Sequence, residues 1–253
     1  MPDDGVMPTE PEYGQRSEGS ALGGVFSTLV VVGTVIAAFV AFHPSYDVDS
    51  VRRLFSHMDV AVQGASQASR GDGTFAYAMT QSDGVSPVGF DPCHSIEIVI
   101  NPRNAPDGYA DMVDTAVANT VGATGLSMDV VGESDDRTFS LRGPEMPVMV
   151  AWADEGEVPE LAGDVRGLGG STSLSLGGQR RYVSGMVVID TDDGAFDLGG
   201  RVAQGIMDHE FAHLVGLGHV DDSGELMHPT PSRLSYGPGD LEGLANLGDI
   251  ACT

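Results

Sequence analysis

The chain has 253 residues, 41% of them apolar, enough for one folded domain of ordinary size with appendages; whole-chain disorder is excluded. Acidic residues number 37 against 12 basic ones, a formal net charge of -25. Affinity for nucleic acid depends on cations that neutralise phosphates, so the balance argues against a nucleic-acid partner.

All twelve basic residues are arginine, and the chain has no lysine. At ordinary ionic strength so many like charges strain the compact state; at molar salt the Debye length falls to about 3 Å and the repulsion nearly vanishes. The composition resembles that of proteins from salt-loving microbes. An acidic chain from a GC-rich genome, where arginine codons displace lysine ones, is the alternative.

In chain order, residues 1–20 are rich in Pro, Gly, Ser and acids and read as a disordered tail. Residues 21–42 contain no charged side chain, and as a helix would span about 33 Å, enough for a hydrocarbon core of about 30 Å. The acidic start and the lack of a small-x-small exit favour an uncleaved, single-pass membrane anchor over a secretory signal. Arg16 on one side faces Arg52 and Arg53 on the other, so the arginine rule leaves the orientation open. Residues 43–90 are mixed and read as a stalk, with a short helix over 47–62, a loop over 66–73 and a strand at Phe75–Met79.

From residue 91 the patterning sharpens into one domain, 91–253. Ser95 to Ile100 alternates polar and apolar residues as a half-buried strand does. Met112, Val113, Ala116, Val117 and Thr120 recur at helical spacing within 107–121. Val148–Trp152 and Gly185–Ile189 read as buried strands, and 161–178, rich in Gly and Ser, as a long connection with an edge strand at Thr172–Leu176. Asp197 is a cap for a helix from about 199 to 215, and a last helix follows Pro238, from 239 to 247. Strands alternating with helices indicate an α/β or α+β domain.

The chemistry concentrates in 209–219. His209 and His213 stand four residues apart, on one helix face, so both imidazoles can address one point, with Glu210 beside it. Gly216 terminates the helix, and the chain can return His219 as a third ligand. Three nitrogen ligands leave a tetrahedral zinc one open position, the mark of a catalytic site. Zinc lowers the pKa of a bound water, Glu210 completes its deprotonation as general base, and the hydroxide attacks a polarised carbonyl.

This segment, followed by Val220 to Pro229, resembles the metzincin clan of zinc endopeptidases and is most similar to its matrixin branch. The likeness extends over about residues 90–248, including Pro92-Cys93-His94-Ser95-Ile96, Asn101, Thr124-Gly125-Leu126 and Gly239-Asp240-Leu241-Glu242-Gly243-Leu244. It implies a zincin-like fold: a twisted mixed sheet with a backing helix and an active-site helix, then a small C-terminal subdomain with a methionine turn and a final helix. It makes Met227 the turn methionine, places Asp240 beneath that turn, matches Asp222 to an acidic residue after the third histidine, and gives Pro229 to the specificity pocket. His228 stands where matrixins usually carry tyrosine, as a pocket wall or a transition-state donor.

The chain also departs from the matrixin pattern. No cysteine precedes Cys93, so the latency thiol of many matrixins is absent, and with only His94 between the stalk and the motif the second, structural zinc lacks its histidines. Asp190, Asp192 and Asp193 with Gly194 form either a calcium site or a solvated turn. Cys93 and Cys252 either close the domain ends with a disulfide, on the oxidising side of a membrane, or remain two buried thiols.

The resulting expectation is a membrane-anchored endopeptidase acting outside the cell on protein or peptide substrates, which add as a strand along an edge near Gly169–Leu176. A surface adhesion or scaffold protein retaining the fold without catalysis is the alternative, as is an amidase for small substrates.

Overall fold

The computed structural model describes residues 67–68, 73–140, 142–191 and 200–252, which fall within one compact unit, 56–253. The tail 1–20, the anchor 21–42, the helix 47–62, most of the loop 66–73, Asp192, Asp193, Gly194 and Asp197 lie outside the described residues. Among the described residues no helix is long and apolar enough to cross a membrane.

The unit is mixed α/β. Its centre is β5 (Val148–Ala153), a run of apolar residues, half of them β-branched or aromatic, buried along its whole length, as a strand covered on both faces should be. On one side β5 runs parallel to β3 (Ile96–Ile100), which is parallel in turn to β4 (Met128–Glu133). On the other it runs parallel to β7 (Gln179–Asp190), which pairs antiparallel with the edge strand β6 (Gly167–Leu176) across a two-residue Gly177–Gly178 turn. The order is therefore β4-β3-β5-β7-β6, with a single antiparallel strand at one edge.

Helix α1 (Tyr109–Thr124) connects β3 to β4 and buries Val113, Ala116, Thr120 and Thr124 along one stripe. Helix α2 (Gly200–Val215) packs on β6 and β7, and its Met207, Phe211, Leu214 and Val215 join the main core with Ile98, Val150 and Trp152. Helix α3 (Pro238–Gly248) closes the unit against α1, contributing Leu244 and Leu247.

Two features differ from expectation. The stalk expected to run to residue 90 gives way to folded structure well before it: β1 (Gln67–Ala68) and β2 (Thr74–Tyr77) form a small antiparallel sheet with β8 (Leu217–Gly218), and Phe75, Tyr77, Val88 and Phe90 sit in the main core. The connection 161–178 holds a ten-residue strand rather than a short one. Its glycines occupy places that side chains cannot: a Cβ at Gly169 would overlap the backbone oxygen of Glu210, and one at Gly167 would stand 2.8 Å from Glu210 Cγ. Low β-propensity is outweighed there by the close approach of α2.

Cys93 and Cys252 are disulfide-bonded, with Cα atoms 5.6 Å apart, which resolves the alternative of free thiols. The bond ties the segment before β3 to the end of the chain after α3.

Candidate metal centre

Helix α2 carries His209, Glu210 and His213 in its last two turns and ends at Gly216. The φ of Gly216 is 128°, and a Cβ there would stand 3.0 Å from both Val88 O and Leu247 Cδ2, so no side chain is admitted without strain. The chain reverses there into β8, which β2 holds by pairing Tyr77 with Leu217 and Ala76 with Gly218. His219 follows directly and meets the two helix histidines. Its Nε2 lies 3.1 Å from Nε2 of His209 and 3.1 Å from Nε2 of His213.

The other ring nitrogens fix the tautomers. Nδ1–H of His209 donates to Leu226 O at 2.8 Å, and Nδ1–H of His213 donates to Leu217 O at 2.8 Å. A carbonyl only accepts, so both hydrogens reside on Nδ1 and both Nε2 lone pairs point into the shared space. Burial first, and the neighbouring His219 second, hold His209 down at about 4, which keeps its ring neutral at pH 7. Neutral imidazoles oriented through backbone carbonyls are what a divalent ion requires. A tetrahedral ion with bonds of about 2.05 Å sets its ligand nitrogens about 3.3 Å apart, so the observed 3.1 Å spacings fit such an ion. From His209 through His213 to His219 the set grades from buried to exposed, so the fourth side faces solvent.

Glu210 is buried between α2 and β6. Burial pushes its carboxyl up to about 8, opposed by one hydrogen bond from the Gly169 N–H. A carboxyl poised near neutrality can take and return a proton.

After His219 the chain folds back so that Val220 N–H donates to Met227 O at 3.0 Å, and Met227 is buried in the core. Asp240, at the start of α3, accepts from Leu226 N–H at 2.6 Å and from Met227 N–H at 3.4 Å, which ties the start of α3 to the turn that holds Met227. Asp222 serves the turn locally, its Oδ1 accepting from Gly224 N–H at 2.9 Å. His228 is half-buried; its Nδ1 accepts from Thr230 N–H at 3.1 Å, and Pro229 is exposed. Of the acids considered for calcium, Asp190 ends β7 as a buried residue.

Several contributors are invisible to motif reading. Leu217 and Leu226 act through their carbonyls, and β2 acts by pairing. Gly167 and Gly169, alternating along one strand, are the one sequence signal that a helix approaches there. No family model matches the chain, and no curated protein matches it.

Proposed function

We propose that this chain is a zinc-dependent endopeptidase of the metzincin type, similar to matrixins, anchored in a membrane by residues 21–42 and acting on proteins or peptides outside the cell in high salt. The observation that carries the reading is the convergence of three Nε2 atoms, that of His219 lying 3.1 Å from each of the other two, with His209 and His213 oriented through backbone carbonyls on the helix that also bears the buried carboxyl of Glu210. His209, His213 and His219 hold the ion. When bound, zinc supplies Lewis acidity that polarises the scissile carbonyl and eases deprotonation of water.

The chain's own residues do the rest. Glu210 accepts a proton from the attacking water and delivers it to the departing amine, while Gly169 N–H fixes the carboxyl on the β6 side. The outer side of β6 pairs with no further strand among the described residues, so an extended peptide can add there through main-chain hydrogen bonds. Met227 and Asp240 support the floor of the site, and His228 with Pro229 lines the side-chain pocket. The Cys93–Cys252 disulfide supports an oxidising location. The net charge of -25 supports activity in concentrated salt.

Proteolysis of an unfolded protein substrate in high salt tests the reading. Wild type is expected to cleave it, and Glu210→Ala or added chelator to abolish cleavage. Cleavage indifferent to both overturns the peptidase; metal binding without cleavage in the wild type points to the non-catalytic alternative.

A further inference from the structure

We propose that Glu225 is a positioning residue of the metal centre: its buried carboxylate locks the loop between His219 and Met227 onto the N-terminus of α3, and so sets the direction of His209. The proposal rests on the metal-binding reading above.

Glu225 is fully buried, yet its hydrogen-bond donors are backbone amides. Gly239 N–H donates to Oε1 at 2.9 Å and Asp240 N–H to Oε2 at 3.0 Å, the first free amides of a helix, where a negative charge is best placed. The hold is reciprocal. From the helix side, Asp240 Oδ2 accepts from Leu226 N–H at 2.6 Å and from Gly237 N–H at 2.8 Å. A loop carboxylate grips helix amides while a helix carboxylate grips loop amides.

The surroundings are cut to the shape of this side chain. A Cβ at Gly73 would overlap Glu225 Oε1, and one at Gly237 would overlap Oε2. The Gly73 backbone therefore abuts the carboxylate, immediately before β2 pairs with β8 and secures Leu217, the acceptor for His213.

Transmission to the metal needs one residue. Leu226 has its N–H held by Asp240 and gives its C=O to Nδ1–H of His209 at 2.8 Å. The other end of the same loop bears His219, and Val220 N–H closes the loop on Met227 O at 3.0 Å. Loosening Glu225 thus lets two of the three ligands drift, without removing any atom that touches the ion. Partners that orient metal-bound histidines typically govern affinity by 10- to 100-fold, roughly.

The test uses the full chain, stripped with chelator and titrated with Co2+ against a competing chelator, reading visible d–d absorbance for affinity and geometry and thermal midpoint for stability. Wild type is expected to bind Co2+ with a tetrahedral spectrum. Glu225→Gln, whose amide turns an N–H toward the N–H of α3, is expected to bind about 10- to 100-fold more weakly with an altered spectrum. Val113→Ala, which thins the core under α1, serves as the control that lowers stability without touching the loop. It is expected to keep wild-type affinity and spectrum. Wild-type affinity and spectrum in Glu225→Gln, or equal weakening in Val113→Ala, overturns the proposal. Failure of wild type to bind Co2+ overturns the metal-binding reading itself. Should Glu225→Gln not fold, Glu225→Asp, which keeps the charge but shortens the reach, carries the same expectation and the same refutation.

Discussion

Two buried glutamates of this protein sit in sockets carved by glycine. Glu210 lies against Gly167 and Gly169 of β6, and Glu225 against Gly73 and Gly237. Both sockets exist because a missing Cβ lets backbone and carboxyl occupy one place, but they are wired differently. Glu210 receives one backbone hydrogen bond, and burial leaves it poised at about 8. Glu225 receives two, from the leading amides of a helix. Burial with a single donor raises the Glu210 carboxyl, whereas the two oxygens of Glu225 are each taken by a fixed amide and pin the backbone. The proposed chemical role of Glu210 and the scaffolding role of Glu225 thus part company through donor supply, with burial common to both.

The contrast can be broken in several ways. Glu210→Gln is expected to lower peptidase turnover by about 10²- to 10⁴-fold, the usual range for removing a general base, with Co2+ binding retained. A turnover within a few-fold of wild type would erase the distinction between the sockets. Glu225→Ala strands the amides of Gly239 and Asp240, at about 1–3 kcal/mol of folding free energy each, read by denaturant unfolding. Gly169→Ala forces β6 and α2 apart and is expected to cost about 1–3 kcal/mol, together with activity, because the added carbon overlaps the backbone of Glu210.

Smaller effects concern pH. Glu210 in the metal-free protein has its folded pKa raised from 4.5 to about 8, so the stability it contributes is complete below about 4.5 and lost as pH rises through 8. The thermal midpoint of Glu210→Gln should therefore gain on wild type steadily across that window. Asp240 is raised to about 6, first by its burial and then by the charge of Glu225, against backbone hydrogen bonds that pull it down. Its contribution is complete below about 4 and lost as pH rises through 6, so Asp240→Asn should flatten the melting profile between pH 4 and 6, whatever it does to the absolute midpoint. A slope unchanged by Asp240→Asn would mean that its carboxyl titrates as if exposed.

The helix-borne part of the site is legible in the sequence, because His209 and His213 lie within one helix and their spacing alone sets the geometry. Gly216 and His219 are readable for the same reason, being local to the helix end. Glu225 is not. Its partners are Gly239 and Asp240 in α3 and the glycine at 73, all remote in the chain, and no periodicity marks such a meeting. Strand β4 leaves no signal because five of its six residues are exposed and present no alternation. Strand β6 reads short because Gly and Ser are poor strand formers, while the approach of α2 demands them. Segment 73–90 reads as part of a stalk because its pattern is mixed around the one strand expected at Phe75–Met79, yet Phe75, Tyr77 and Val88 are core residues.

The covalent tie between Cys93 and Cys252 spans 159 positions and encloses the five-stranded sheet, the three α-helices among the described residues and the three converging histidines. One backbone cut anywhere inside that ring yields two pieces that stay fastened together. A molecule nicked there by any protease would therefore migrate as intact material on a denaturing gel and separate into fragments only once a reductant is added.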